Sequence, residues 1–100
     1  MIPEVLQKSK SKIAEICRRY KIRELSLFGS QVRGDSNSES DFDFLVEFSP
    51  EARIGFIALG KIQEELEGIV LTEVDLVPKD GLKPILRKPV LSEAEIIYAE

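Results

Sequence analysis

The chain has 100 residues, 43% of them hydrophobic, and carries 14 Lys and Arg against 18 Asp and Glu, for a formal net charge of −4. This length suits one domain, and the acidic balance argues against broad binding to duplex DNA. The sequence has no His and a single Cys, Cys17. That composition excludes a Ser–His–Asp triad, a His-ligated zinc site and an internal disulfide.

Segments that would direct the chain to or through a membrane are not evident. No apolar run approaches the ~20 residues of a membrane span. Polar residues from Gln7 to Lys12 interrupt any N-terminal signal segment. We therefore expect a soluble, cytoplasmic protein that forms one domain over residues 1–100.

Basic and acidic residues are unevenly distributed. Residues 1–23 contain seven basic and two acidic side chains, whereas residues 24–77 contain three basic and twelve acidic ones. A solvated basic helix followed by an acidic domain body explains this distribution, and so does a basic surface beside a cation-binding centre. Without His, any catalysis would use carboxylates, Lys or Arg, hydroxyls, backbone amides or a hard metal ion.

The apolar pattern predicts helices and strands in alternation. In chain order these are a helix at 3–20, a strand at 23–28, one helical turn at 31–34, a strand at 41–48, a helix at 52–67 ended by Gly68, a strand at 69–77, a short helix near 82–87 and an apolar segment from 91 onward. The helix at 52–67 is expected to bury Ile54, Ile57, Ala58, Ile62 and Leu66. Cys17 lies on the apolar stripe of the first helix, which predicts a core position. This order indicates an α/β (α+β) layer structure.

The strand at 41–48 carries two carboxylates on one face. Its apolar side chains alternate onto the other face, namely Phe42, Phe44, Val46 and Phe48. Asp41 and Asp43 are two residues apart, so their Cα atoms should lie about 6.5–7 Å apart. Two ionised carboxylates this close repel each other, and a hard divalent cation between them removes the repulsion. Mg²⁺ is commonly bound by one or two carboxylates together with substrate phosphates.

Two further features complete the predicted site. Asp75 interrupts an otherwise apolar strand, where a charge is costly unless it is paired or bound to metal. If this strand neighbours the strand at 41–48, three carboxylates define a site for one or two metal ions. Gly29 and Ser30 follow a strand and open a helical turn, a geometry that lets the backbone and the Ser30 hydroxyl approach phosphate oxygens. Arg33 lies close enough along the chain to neutralise phosphate charge.

These motifs together resemble those of a known family. The segments are LFGSQVRG at 27–34, SDFDFLV at 40–46 and VDLV at 74–77. They are similar to the minimal nucleotidyltransferases of the DNA polymerase beta-like superfamily, a group that includes the MntA-type antitoxins paired with HEPN toxins. The resemblance covers residues 20–90. It implies a small mixed β-sheet flanked by helices, in the polymerase beta-like nucleotidyltransferase fold. Val32 departs from the smaller residue usual at its position.

The resemblance also implies roles for individual residues. Asp41, Asp43 and Asp75 would be the catalytic and metal-binding carboxylates, with Asp75 helping to deprotonate the attacking hydroxyl. The nucleotide-binding residues would be Gly29, Ser30, Arg33 and Ser40. The implied reaction is Mg²⁺-dependent transfer of a nucleoside monophosphate, AMP from ATP, to an acceptor hydroxyl. In the antitoxin group that acceptor is a tyrosine of a HEPN RNase toxin, which is thereby silenced.

Three hypotheses about function follow. The first is this enzyme, acting as an antitoxin on a HEPN partner. The second is a binding module without catalysis, which neutralises its partner by forming a complex; the small size of the chain favours it. The third is a nucleotidyltransferase of small molecules, for which 100 residues leave no room for an acceptor-binding domain. A homodimer or a heteromer is compatible with a domain of this size. Binding to a membrane or directly to nucleic acid is not expected.

Overall fold

A computed structural model describes residues 2–33 and 41–100 of the chain. The helices are α1 Glu4–Lys8, α2 Lys10–Arg19, α3 Ser30–Arg33, α4 Phe56–Val70 and α5 Pro84–Glu93. The strands are β1 Ile22–Phe28, β2 Phe42–Phe48, β3 Val74–Pro78 and β4 Glu95–Ala99. A short 3-10 turn, Lys79–Gly81, follows β3. No helix in this described part of the chain is both long enough and apolar enough to cross a bilayer.

The four strands form one mixed sheet in the order β3-β2-β1-β4. β1 pairs antiparallel with both β2 and β4, whereas β2 and β3 run parallel. The parallel pair is joined through α4, as parallel strands require a crossover connection. This arrangement confirms the predicted class, a small mixed sheet with helices packed against it.

The hydrophobic core lies between one face of the sheet and the helices α1, α2 and α4. Phe44, Leu25 and Leu27 point from the sheet into this core and are fully buried. Ile62 and Leu66 of α4 meet them from the helical layer. Because side chains alternate along a strand, the neighbouring positions are directed to the opposite face of the sheet.

Cys17 belongs to the core, as its sequence position predicted. Its side chain is fully buried in the cluster. Burial raises the pKa of the Cys17 thiol to about 12, so the thiol is protonated at neutral pH. A protonated, buried thiol is not a nucleophile, and Cys17 therefore contributes packing.

The predicted end of the central helix is wrong. α4 continues through Gly68 to Val70, and Leu71 ends it in a left-handed conformation with φ 59°. β3 accordingly begins at Val74 rather than at residue 69. Ile57, expected to point inward, is 80% exposed. It precedes the buried Ile62 by five residues, which places it about 140° around the helix from the core-facing side.

Both ends of the chain also differ from the predicted elements. The single helix expected at 3–20 is divided at Ser9, whose φ of −108° separates α1 from α2. The short helix expected near 82–87 extends to Glu93 with Pro89 inside it. The apolar segment beyond it is divided, since Leu91 belongs to α5 whereas β4 pairs with β1 at the edge of the sheet. This last pairing brings the end of α5 close to the end of β1.

Candidate active site

Two of the predicted site carboxylates face each other across the sheet. Asp43 of β2 and Asp75 of β3 are register partners in the parallel pair. Neighbouring strands are separated by about 4.8 Å, and partners in register point to the same face. The condition on which the predicted site depended, that the third predicted strand lies beside the second, is therefore met. Both aspartates are directed away from the hydrophobic core.

The third carboxylate, Asp41, precedes β2 by one residue. It is exposed, and it lies two residues before Asp43, on the same side of the extended chain. Asp75 is exposed as well. The expectation that Asp75 bears a burial cost is therefore wrong, because only the opposite face of β3 is covered by the core. What supports a role for Asp75 in the site is its position beside Asp43.

The surroundings of Asp43 disfavour its charge. Burial raises the pKa of the Asp43 carboxyl above its usual value, and the negative charges of Asp75 and Asp41 raise it further. The positive charge of Arg33 lowers the pKa of Asp43, and the charge of Glu93 raises it. The net shift of the Asp43 pKa is upward, so burial and the neighbouring aspartates outweigh the positive charge of Arg33.

The donor chemistry of this centre fits a hard cation. Carboxylate oxygens are the ligands that Mg²⁺ prefers, and their mutual repulsion is what a bound cation would relieve. Within residues 2–33 and 41–100, no group of three acidic or thiol side chains lies close enough together to hold a metal ion by itself. This geometry is compatible with Mg²⁺, which typically takes one or two carboxylates and completes its shell with water and phosphate oxygens.

Gly29 lies directly against the Asp43 carboxylate. It follows β1, whose last residue, Phe28, is the register partner of Asp43. A Cβ added to Gly29 would overlap Asp43 Oδ2 and lie 3.2 Å from Cγ, and the φ of Gly29 is 82°. Both the space and the backbone conformation therefore require glycine here. The Gly29 carbonyl accepts N–H groups of α3, from Val32 at 3.1 Å and from Arg33 at 3.2 Å.

The predicted phosphate-binding residues are partly engaged by a residue that sequence reasoning missed. The Gly29 N–H donates to Glu93 Oε1 at 2.9 Å. Arg33 Nη1 donates to both Glu93 oxygens, each at 3.2 Å. No local pattern identified Glu93, because it is 64 residues from Gly29 along the chain. In the sequence, Glu93 is marked only by being an acidic residue shortly before the C-terminal apolar segment.

The remaining predicted nucleotide-binding positions are only partly described. Ser30 begins α3 and is half-buried beside Gly29. Ser40 and Gly34 lie outside the described residues. The structure thus brings together Asp43, Asp75, Gly29 and Arg33, with Asp41 at the edge of the same centre.

Comparisons with known proteins agree with this geometry. Residues 10–97 match the family described as the nucleotidyltransferase domain. The protein adenylyltransferase MntA of Thermococcus cleftensis is 38% identical over 84 residues, which are 84% of this chain and 81% of that protein. The chain therefore belongs to the nucleotidyltransferase domain family, and the protein is a nucleotidyltransferase.

Solved structures show the same fold. One, named for a minimal nucleotidyltransferase, superposes with a TM-score of 0.78 at 33% identity, and the match covers 95% of each chain. Another is a complex of a tri-AMPylated HEPN toxin from Shewanella oneidensis with an MNT antitoxin. It has a TM-score of 0.68 at 22% identity and covers 95% of this chain and 73% of that chain, a similarity that concerns the fold alone.

Proposed function

We propose that this protein transfers AMP from ATP, in a Mg²⁺-dependent reaction, to a tyrosine hydroxyl of a HEPN-type toxin, and thereby acts as its antitoxin. The observation that carries the proposal is the register pairing of Asp43 with Asp75 beside Gly29. Two carboxylates at a glycine turn provide what phosphoryl transfer needs, namely a place for a metal-bound triphosphate and a nearby proton acceptor.

Each site residue has a role in this reaction. Asp41, Asp43 and Asp75 would hold Mg²⁺, which when bound neutralises triphosphate charge and polarises the reacting phosphate. Gly29 keeps the backbone clear of Asp43, so that the triphosphate can approach the aspartates. Ser30 and Ser40 would donate hydroxyl groups to phosphate oxygens, and the Arg33 guanidinium would contribute positive charge.

The proposed reaction is a displacement at the α-phosphorus of ATP. The tyrosine oxygen forms a bond to this phosphorus, the bond between the α-phosphorus and the bridging oxygen breaks, and pyrophosphate leaves. The hydroxyl proton passes to the carboxylate of Asp75 and from there to solvent, which the exposure of Asp75 allows.

The relatives support the choice of nucleotide and partner. The Thermococcus cleftensis protein is named a protein adenylyltransferase, and the Shewanella oneidensis antitoxin is seen with an AMPylated HEPN toxin. A centre with three aspartates would be repelled by free triphosphate, so the metal complex of ATP is the expected substrate. Because ATP is an intracellular substrate, we place the protein in the cytoplasm.

The test is incubation of the chain with α-labelled ATP, Mg²⁺ and a HEPN-type toxin from the same organism. We expect label on the toxin, release of pyrophosphate, and a mass increase of one AMP at a tyrosine identified by peptide mapping. The Asp41→Asn/Asp43→Asn double variant should transfer no label. Glu64→Gln, which removes an exposed carboxylate of α4, is the matched control and should label the toxin as wild type does.

Two results would contradict the proposal. Equal labelling by wild type and the double aspartate variant would place the chemistry elsewhere. Neutralisation of the toxin by the double variant at the wild-type protein ratio, with no label transferred by either form, would establish a binding module in place of an enzyme.

A further inference from the structure

Glu93 lies beyond the motif segments and contacts two of the predicted nucleotide-binding residues, Gly29 and Arg33. Its Oε1 accepts the Gly29 N–H at 2.9 Å, and both its oxygens accept hydrogen bonds from Arg33 Nη1 at 3.2 Å. The Glu93 side chain is 27% exposed, so these bonds are partly shielded from water. Hydrogen bonds to an ionised carboxylate are shorter and stronger than bonds between neutral groups.

The sheet fixes the place of Glu93. β4 pairs antiparallel with β1, and Ser26 and Leu27 lie opposite Ile96 and Glu95. Since Glu93 ends α5 just two residues before β4, this pairing brings it close to the turn that follows β1. Glu93 therefore reaches the turn because of a strand pairing, and α5 and β4 are attached to the active site through its carboxylate.

The same contact bears on the metal-binding carboxylates. Gly29 leaves no room for a Cβ against Asp43, so a small movement of the turn changes the space around that carboxylate. The charges of both Glu93 and Arg33 act on Asp43. One carboxylate thus connects the glycine turn, the cationic residue of α3 and the metal centre.

We propose that Glu93 is a positioning residue of the nucleotidyltransferase site: its carboxylate holds Gly29 and Arg33 in the geometry that receives the triphosphate of ATP. This inference rests on the proposed function for its substrate. Because Glu93 already accepts the Gly29 N–H, the contribution of Gly29 to ATP binding is the shape of the turn, and phosphate oxygens are bound by the groups that follow it.

The competing explanation assigns Glu93 the opposite effect. A carboxylate that accepts a backbone N–H and an arginine could occupy a phosphate position, in which case ATP would have to displace it. The two explanations predict opposite changes in ATP affinity when Glu93 is truncated. A positioning role weakens ATP binding in Glu93→Ala, whereas an occupying role strengthens it.

Three substitutions separate the effect of the length of the Glu93 side chain from the effect of its charge. Glu93→Gln keeps an oxygen at the length needed for the Gly29 N–H and removes the charge. Glu93→Asp keeps the charge and shortens the side chain by one methylene. Glu93→Ala removes both. We expect affinity for Mg²⁺-ATP to fall about tenfold or more in Glu93→Ala and Glu93→Asp, and about threefold in Glu93→Gln. Glu64→Gln should bind Mg²⁺-ATP as wild type does.

Two measurements distinguish positioning from a general loss of structure. In the transfer reaction, the KM for ATP should rise in Glu93→Ala while the KM for the protein acceptor stays within about twofold of wild type. In NMR spectra of the chain without nucleotide, the Gly29 amide proton should move upfield in Glu93→Ala and Glu93→Asp and return toward its wild-type position in Glu93→Gln.

Wild-type or tighter binding of Mg²⁺-ATP by Glu93→Ala would overturn the inference, as would an unchanged Gly29 amide resonance. A parallel rise in both KM values would also overturn it, since that result indicates general structural damage. If wild type binds Mg²⁺-ATP but transfers no AMP to the toxin, the proposed function fails while the ATP affinities still test Glu93.

Discussion

Two pairs of acidic residues face each other across neighbouring strands on the same face of the sheet, and their surroundings differ. Glu24 of β1 is the register partner of Glu47 of β2. Lys79 lies between them, with its Nζ 3.8 Å from Glu24 Oε1 and 3.6 Å from Glu47 Oε1. Asp43 and Asp75 form the second pair, across β2 and β3, and there the pKa of Asp43 is raised.

The difference separates a carboxylate pair whose charge is offset by a neighbouring lysine from the pair that we propose binds a metal ion. A lysine supplied by the 3-10 turn after β3 partly offsets the Glu24 and Glu47 charges within the protein itself. Around Asp43, burial and two neighbouring aspartates outweigh the effect of Arg33. A fold retains unrelieved repulsion at a cost to its stability, and such places are often where a ligand supplies the missing charge.

The largest expected effect comes from removing the charge of Asp43, compared with removing the charge of Glu47 from the other pair. Asp43→Asn should lower AMP transfer by about 1,000-fold, because several kcal/mol of transition-state stabilisation by a bound metal would be lost. Glu47→Gln is the matched variant, on the same strand and the same face, and should keep activity within about twofold of wild type. Initial rates at saturating ATP and Mg²⁺ measure both.

Comparable losses in the two variants would contradict the distinction between the pairs. In that case the whole acidic face, rather than the Asp43 centre, would support the reaction. Normal activity in Asp43→Asn would remove this centre from the mechanism altogether.

Sequence reasoning succeeded where a local pattern determines the structure. Alternation of aromatic and acidic residues in β2 placed Asp43 on the face opposite Phe42 and Phe44, and the breaks around it defined the strand. The pairing of Asp43 with Asp75 was conditional on β2 and β3 being neighbours, which only the complete sheet establishes. Glu93 could not be predicted, because its contact with Gly29 depends on β4 pairing with β1.

The next largest effect is expected from filling the space between Gly29 and Asp43. Gly29→Ala adds a Cβ that overlaps the Asp43 carboxylate at a φ of 82°, so it should destabilise the protein by about 1–3 kcal/mol and lower activity strongly. Gly60→Ala in α4 is the control. Nothing lies within 4 Å of its added Cβ, and helix propensity should make it stabilising by about 0.5–1 kcal/mol. Urea unfolding of both variants tests the contrast, and Gly29→Ala with wild-type stability and activity would contradict the close approach.

A smaller effect is expected on thermal stability without metal. Because the pKa of Asp43 is raised in the folded state, stability present at low pH is lost as the pH rises through that raised pKa. Asp43→Asn avoids this loss, so in EDTA at neutral pH it should melt about 2 °C above wild type, and the gap should narrow as the pH falls. Mg²⁺ should raise the Tm of wild type and leave that of Asp43→Asn nearly unchanged. A lower Tm of Asp43→Asn in EDTA would show that the aspartate is not under repulsion.

The smallest effect concerns the compensated pair. Lys79→Met keeps most of the aliphatic length of the side chain but leaves Glu24 and Glu47 facing each other without their cation, which should cost about 0.5–1 kcal/mol of unfolding free energy. Because the interaction is electrostatic, the cost should shrink in high salt, and activity should stay close to wild type. Adding Glu47→Gln to Lys79→Met removes the repulsion, so the double variant should be more stable than Lys79→Met alone. If it is no more stable, Lys79 contributes through packing of its aliphatic chain, and neutralisation of charge would not distinguish the two carboxylate pairs.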